Sequence, residues 1–114
     1  MCIRDRSILD EPQPPTALLA SSVLVALGAM KALAERGLRV PQDMSIVAHD
    51  DEVAAFPPSM ATPQLTTLNS SIRAAGARIA EMALERIATG GAPVASEVWP
   101  VPLTIRGSTA EALD

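Results

Sequence analysis

The residues best suited to chemistry in this sequence stand where an apolar segment ends. Residues 45–52, SIVAHDDE, end with His49, Asp50, Asp51 and Glu52 in a row. Such a group can hold a cation, act as an acid–base pair, bind the hydroxyl groups of a ligand, or form a solvated turn. The rest of the sequence disfavours two of these four kinds of site and leaves two open.

A metal site and a catalytic site are both disfavoured. Consecutive strand residues point to opposite faces, so residues 49–51 do not converge on one ion, and Ser22 offers a single further ligand. A phosphoaspartyl site of the flavodoxin-like class needs a lysine at another strand end, but the only lysine is Lys31, inside a predicted helix. The sequence has no Gly-rich phosphate loop, no HExxH motif and no Ser-His-Asp order. We therefore expect that the chain is not an enzyme and needs no metal and no cofactor.

A solvated turn and a ligand-binding site remain as alternatives. An aspartate at a strand end can cap the backbone amides of a turn, which requires no ligand. A carboxylate in the same place accepts two hydroxyl hydrogen bonds and therefore suits a polyol such as a sugar. Composition alone does not favour a sugar over a purine.

The overall composition limits the class of protein. The 114 residues suffice for one small domain, and 48% of them are hydrophobic, which is enough for a packed core. A net charge of -4 with scattered arginines argues against a nucleic-acid surface in this chain. The single cysteine, Cys2, excludes an intrachain disulfide and fits a reducing cytoplasm. No apolar run approaches the roughly 20 residues of a membrane span.

Two short apolar segments flank a helical pattern, which predicts a βαβ unit. The strands are expected over residues 16–20 and 44–48, with a helix between them. The residues expected on the buried face of this helix are Val23, Leu24, Leu27, Met30, Leu33 and Ala34. Parallel strands joined by a right-handed crossover end at the same sheet edge. The serines that precede the helix should therefore lie beside the acidic strand end, where ligands bind in open α/β sheets.

The second half of the chain continues the same architecture. Residues 65–68 are a third predicted strand, and a helix follows over 72–87. A final strand is expected within 97–106, where two prolines restrict it to a sheet edge or break it. The expected fold class is therefore α/β, an open parallel sheet with flanking helices.

A series of motifs resembles the C-terminal part of the lactose-repressor/galactose-repressor (LacI/GalR) family. In order, the motifs are PTA, ALGAMKAL, GLRVPQDMSIV, DD, LTT and RGST, between residues 12 and 110. The resemblance implies a transcriptional regulator with an N-terminal helix-turn-helix and a two-lobed core like that of type I periplasmic sugar-binding proteins. Its effector lies between the lobes, and this chain holds only part of that core.

The resemblance implies a role for individual residues. Asp50 matches the acid that hydrogen-bonds the effector, and Ser22 matches a second effector-facing position. That position is often Asn followed by Asp in the family, so the pair Ser22-Val23 departs from the pattern. Ser70 and Ile72 match positions that line the cleft at the crossover between lobes. His49 stands where an aromatic residue is common, and a packed or capping histidine is the alternative to a ligand contact.

The resemblance also implies partners. It predicts a small-molecule effector, a cytoplasmic homodimer, operator DNA bound only through the missing N-terminal domain, and no membrane. Leu27 and Phe56 are expected near the two-fold axis, although Leu27 also suits an ordinary core position. A different class with the same core is the sugar-binding component of a transporter, which carries a signal peptide instead of a DNA-binding domain.

The chain is expected to be divided between the two lobes. The opening MCIRDR has no helical or strand periodicity, which favours a foreign junction over a genuine N-terminal arm. The expected segments are this junction (1–6), a linker (7–15), the second lobe (16–68), a segment that completes the absent first lobe (69–102), and the return to the second lobe (103–114). The helix over 72–87 should then pack sparsely and expose part of its apolar stripe.

Overall fold

The computed structural model describes residues 7–91, 93 and 96–112, which form one sheet with helices. The strands are β1 (Ala17–Ala20), β2 (Ser45–Asp50), β3 (Thr66–Asn69) and β4 (Leu103–Thr104). The helices are α1 (Val23–Glu35) and α2 (Ile72–Ala88), and a 3₁₀ turn spans Pro58–Met60. Residues 7–9, in the segment expected to be a linker, are helical, and Leu9 packs against the core. The expected foreign junction over 1–6 lies outside the described residues.

Three parallel strands and one antiparallel edge strand make up the described sheet, in the order β1-β2-β3-β4. The predicted α/β class with an open, mostly parallel sheet is confirmed. The last strand is shorter than predicted, because β4 comprises two residues of the region 97–106. Pro100 and Pro102 precede it and cannot donate a backbone hydrogen bond to a neighbouring strand, which shortens the pairing.

Helix α1 packs on the sheet mainly through small side chains. Its buried residues are Val23, Ala26, Ala29, Ala32 and Leu33. The predicted stripe is wrong at Leu24, which is 43% exposed, and at Ala34, which is also exposed. Alanine at every third position lets the helix approach the sheet closely, and this orientation turns Leu24 toward the surface. Leu27 and Met30 are half-buried and pack against the same core.

The sheet buries one face and leaves the other open. Burial alternates along β2, where Ile46 and Ala48 are fully buried on the side of α1. On the opposite face Leu19 and Leu103 are 69% and 54% exposed. Because alternate strand residues point to opposite sides, an apolar surface remains on that face.

Helix α2 makes little packed contact with the sheet. None of its residues is buried, and Ile79 and Ile87 are 66% and 77% exposed, whereas Ile46 is 0% exposed. The predicted sparse packing of this helix is confirmed. The molecule is accordingly elongated and measures 59 × 28 × 27 Å. Within the described part of the chain, neither helix is long and apolar enough to cross a membrane.

The exposed stripe of α2 predicts a contrast between two substitutions. Ile87→Lys should change the free energy of unfolding by about 0.5 kcal/mol or less, because it replaces a surface side chain. Ile46→Ala should cost about 2–5 kcal/mol, because it opens a cavity in the core. Urea unfolding measures both effects, and light scattering should show less aggregation for Ile87→Lys. A loss of stability in Ile87→Lys as large as that in Ile46→Ala would contradict the exposed position.

Candidate functional site

Polar residues gather at the carboxyl edge of the sheet. Ser22 follows β1, Asp50 ends β2, and Ser70 follows β3, and the parallel pairing brings these three strand ends together. An open cleft of about 250 Å³ lies at this edge. Its lining residues are Ser22, Val23, Leu24, Asp50, Asp51, Val53 and Phe56. The predicted proximity of Ser22 to the acidic strand end is therefore observed.

The Asp50 carboxylate lies at the cleft but is largely covered by protein. Asp50 is 7% exposed and lines the cleft, so its carboxylate faces the cleft and not open solvent. Oδ1 accepts a hydrogen bond from the Glu52 backbone N–H at 2.9 Å, and Oδ2 accepts one from Asn69 Nδ2 at 3.1 Å. The contact between the Asp50 side chain and the N–H two residues on forms an Asx turn, in which Glu52 itself has a φ of 56°. A carboxylate has about four acceptor positions, so this one keeps capacity for a ligand.

Asn69 is a residue of the site that sequence reasoning missed. Ser71 caps α2, since its hydroxyl accepts from the Ala74 N–H at 3.3 Å. Asn69 donates to Asp50, while its Oδ1 accepts from Thr67 Oγ1 at 3.1 Å and from Thr104 Oγ1 at 3.0 Å. These three bonds fix the orientation of the amide. The signal that could have found it is register, because Asn69 is the β3 partner of Asp50.

His49 joins Asp51 to Ser70 through both ring nitrogens. Nδ1 lies 2.8 Å from Asp51 Oδ1, and Nε2 lies 3.0 Å from Ser70 Oγ. The backbone N–H of Ser70 also donates to the Asp50 carbonyl at 3.0 Å. We name Asp51, His49 and Ser70 the polar relay. It ties the end of β2 to the first residues of the connection into α2.

Ser70 also lines a second open cleft, of about 460 Å³, between α2 and residues 96–99. The other lining residues are Ala75, Arg78, Ile79, Met82, Ser96, Glu97 and Trp99. Arg78 donates to Glu97 Oε1 at 2.8 Å through Nε, and further hydrogen bonds reach Glu81 and Glu85. The bonds to Glu97 and Glu81 raise the pKa of the Arg78 guanidinium, and the bond from Arg78 lowers the pKa of Glu97. The positive charge of Arg78 is thus already matched by carboxylates.

The remaining predicted site residues take different places. Ser22 Oγ accepts a hydrogen bond from the Val25 N–H at 3.3 Å and so caps α1. Ile72, the first residue of α2, is 55% exposed and lines neither cleft. Leu27 is half-buried against the core, and Phe56 lines the first cleft. Among the described residues, no three His, Cys, Asp or Glu side chains are placed to hold a metal ion.

The cap at Ser22 gives a second testable contrast. Ser22→Ala removes the hydroxyl that accepts from the Val25 N–H and should cost about 0.5–2 kcal/mol of folding stability. Ser21→Ala is the matched control, because Ser21 is exposed and precedes the cap. Thermal and urea unfolding of the two variants give the comparison. Equal losses would show that Ser22 does not cap α1.

The RGST motif supports the site from within the sheet, a role that sequence reasoning missed. Ser108 is fully buried. Its hydroxyl accepts from the Thr66 N–H at 2.8 Å and donates to the Ile46 carbonyl at 2.6 Å, while its own carbonyl accepts from the Ile46 N–H at 2.8 Å. Arg106 donates through Nη1 to the Leu65 carbonyl at 2.8 Å. The motif therefore connects β2 to the start of β3, and these are the strands that position Asp50.

The fold and this edge define a class of protein. The family model of the periplasmic binding protein-like domain matches residues 3–109. The chain belongs to this family.

Named relatives narrow the class to regulators of the LacI type. The transcriptional regulator AglR of Rhizobium meliloti is 43% identical over 106 residues, which are 93% of this chain and 30% of AglR. The solved structure of the regulator CelR with cellobiose matches with a TM-score of 0.80, 27% identity and coverage of 94% of this chain and 32% of CelR. A lac repressor dimer bound to operator and the anti-inducer ONPF matches with a TM-score of 0.76, 34% identity and coverage of 95% and 36%.

These comparisons confirm the resemblance inferred from the motifs. The chain corresponds to part of the periplasmic-binding-protein-like core of LacI-family regulators. It spans less than a third of the length of AglR. The named relatives are transcriptional regulators and not enzymes, which confirms the prediction that this chain is not an enzyme.

Proposed function

We propose that this chain forms one wall of the effector-binding cleft of a LacI/GalR-type transcriptional regulator, and that the effector is a sugar or a related polyol. The observation that carries the proposal is the Asp50 carboxylate, held by Glu52 N–H and Asn69 at the cleft beside Ser22. A carboxylate in a fixed orientation accepts hydroxyl hydrogen bonds at little entropic cost. CelR, whose solved structure holds cellobiose, shares the fold.

The proposal assigns the parts of the chain to two lobes. Residues 16–68 and 103–114 belong to the lobe seen here as a sheet with α1. Residues 69–102 complete a lobe formed by the rest of the protein, and 7–15 connect to it. The support is the open apolar stripe of α2, where Ile79 and Ile87 lack the packing that a helix of this length normally has.

The proposal also names partners and a compartment. The regulator acts in the cytoplasm as a homodimer, and it binds operator DNA through a domain outside this chain. Leu27 and Phe56 contribute to the dimer interface, for which the support is their incomplete burial within one chain. The net charge of -4 supports the absence of a DNA-binding surface in the chain itself.

The proposal is tested with the natural-length protein and neutral disaccharides. Calorimetry with cellobiose, lactose and maltose should reveal binding of at least one, and that sugar should change the affinity for DNA from upstream of the gene in a gel shift. The 114-residue chain alone should give no sequence-specific shift. Binding of hypoxanthine with no response to any sugar would overturn the proposed effector class. A specific, salt-sensitive shift by the isolated chain would overturn the assignment of DNA binding to another domain.

A further inference from the structure

In the neutral form of the His49 ring, the polar relay determines which nitrogen carries the hydrogen. An ionised aspartate accepts hydrogen bonds and donates none. The 2.8 Å contact between His49 Nδ1 and Asp51 Oδ1 therefore places a hydrogen on Nδ1. In the neutral imidazole the other nitrogen is then an acceptor, so the hydrogen in the 3.0 Å contact between Nε2 and Ser70 Oγ belongs to Ser70.

This proton arrangement decides what Ser70 offers to a ligand. A serine hydroxyl has one hydrogen and two lone pairs, and the hydrogen of Ser70 is directed at His49. Toward the second cleft Ser70 is left with lone pairs only. Asp50 and Asp51, on the neighbouring strand end, present acceptor oxygens to the first cleft. Arg78, the cation that shares a cleft with Ser70, is engaged by Glu97, Glu81 and Glu85.

We propose that the Asp51–His49 pair makes Ser70 a hydrogen-bond acceptor toward the second cleft, so that this position takes a ligand bearing hydroxyl or N–H donors and rejects an anion such as a phosphate ester. Ser70 contacts the ligand, and His49 and Asp51 act as positioning residues that hold its hydroxyl in the acceptor orientation. The inference rests on the proposed function, extends the effector site to the second cleft, and narrows the ligand to an unphosphorylated, donor-rich molecule.

Phosphate is the most discriminating probe, because the proposal predicts that an anion is rejected, whereas the first turn of α2 by itself would attract one. The amides of the first turn and the helix dipole attract anions, and Ser71 satisfies one of those amides, that of Ala74. With His49 in place, Ser70 cannot donate to an anion arriving there. With His49→Phe, the Ser70 hydrogen becomes free to do so. The substitution should therefore strengthen anion binding at this position.

The first experiment determines the tautomer of His49 by long-range ¹H–¹⁵N NMR on the 114-residue chain, in which His49 is the only histidine. The neutral ring should carry its hydrogen on Nδ1. Ser70→Ala should keep this tautomer, whereas Asp51→Ala, which removes the acceptor, should lose it. A hydrogen on Nε2 in the unaltered chain would overturn the proposal, because Ser70 would then accept from His49 and keep its own hydrogen for the ligand.

The second experiment titrates inorganic phosphate into the chain and into His49→Phe, following the backbone signals of Ser70 and Ser71. Phosphate should bind about tenfold more tightly to His49→Phe, the effect of one gained hydrogen bond to a charged group. Circular dichroism verifies that the variant is folded, and His49→Leu, which also lacks an acceptor, provides a second variant if it is not. Equal phosphate affinity in both chains, or tighter binding to the original, would overturn the proposal. Neither experiment uses a sugar, so a failed effector screen with the expected tautomer and phosphate result would affect only the proposed function.

Discussion

Replacing Asp50 with Asn is expected to weaken effector binding by about ten- to a hundredfold in the natural-length protein, in line with the loss of a hydrogen bond to a charged group. Binding of operator DNA without effector should be unchanged, because the proposed function places that contact in another domain. The carboxylate offers acceptors at both oxygens, and an amide offers one acceptor and one donor group. A ligand hydroxyl that donates to Asp50 would lose its charged partner.

Asn69 makes this substitution less conservative than it looks. The amide nitrogen of Asn69 donates to Asp50 Oδ2, and its oxygen accepts from Thr67 and Thr104. A new amide at position 50 keeps the Glu52 N–H bond only by turning its own nitrogen toward that of Asn69. Rotation of Asn69 would relieve this contact but would turn its nitrogen toward Thr67 and Thr104, so both hydroxyls would have to accept where they now donate. We therefore expect a disturbed strand end together with the lost acceptor.

The control for Asp50→Asn is Glu52→Gln. This change removes one negative charge two residues away, while the contact of Glu52 with Asp50 uses the backbone N–H and persists. Effector affinity, measured by calorimetry, should stay close to that of the original protein in Glu52→Gln. Unchanged affinity in Asp50→Asn would remove Asp50 from the site. An equal loss in both variants would assign the effect to overall charge.

Ser108→Ala is expected to destabilise the fold by about 2–5 kcal/mol, because it leaves two buried backbone groups without partners. These groups are the Thr66 N–H and the Ile46 carbonyl, which Ser108 Oγ bridges within the sheet. A typical domain has a total stability of about 5–15 kcal/mol, so the loss is large.

Urea unfolding measures this effect, and Ser59→Ala in the exposed 3₁₀ turn is the matched control. The control should change the free energy of unfolding by about 0.5 kcal/mol or less. A similarly small change in Ser108→Ala would show that water or a shifted backbone replaces the hydroxyl. The connection between β2 and β3 would then depend on the ladder hydrogen bonds alone.

Local patterns in the sequence were sufficient to predict the strands and helices and much of the carboxyl edge of the sheet. Short apolar runs predict β1, β2 and β3, and apolar spacing with serine caps predicts α1 and α2, because these signals lie within a few residues of one another. The parallel βαβ connection then places Ser22 beside Asp50 by topology alone. The open stripe of α2 was predicted through the family resemblance, which assigns this amphipathic helix to a different lobe from α1.

Only the tertiary structure decided which side chains meet and which face of α1 is buried. Alanines of α1 are buried against the sheet while Leu24 is exposed, because the helix approaches the sheet closely. The hydrophobicity of the residues does not predict this distance. Asn69 and Ser70, which contact Asp50 and His49, lie about twenty residues ahead at the end of the next strand, so strand register brings them together. Ser108 reaches Ile46 across 62 positions of sequence. Whether a hydrogen bond forms depends on differences of a few tenths of an ångström in the donor–acceptor distance. Those distances are set only once the strands are paired.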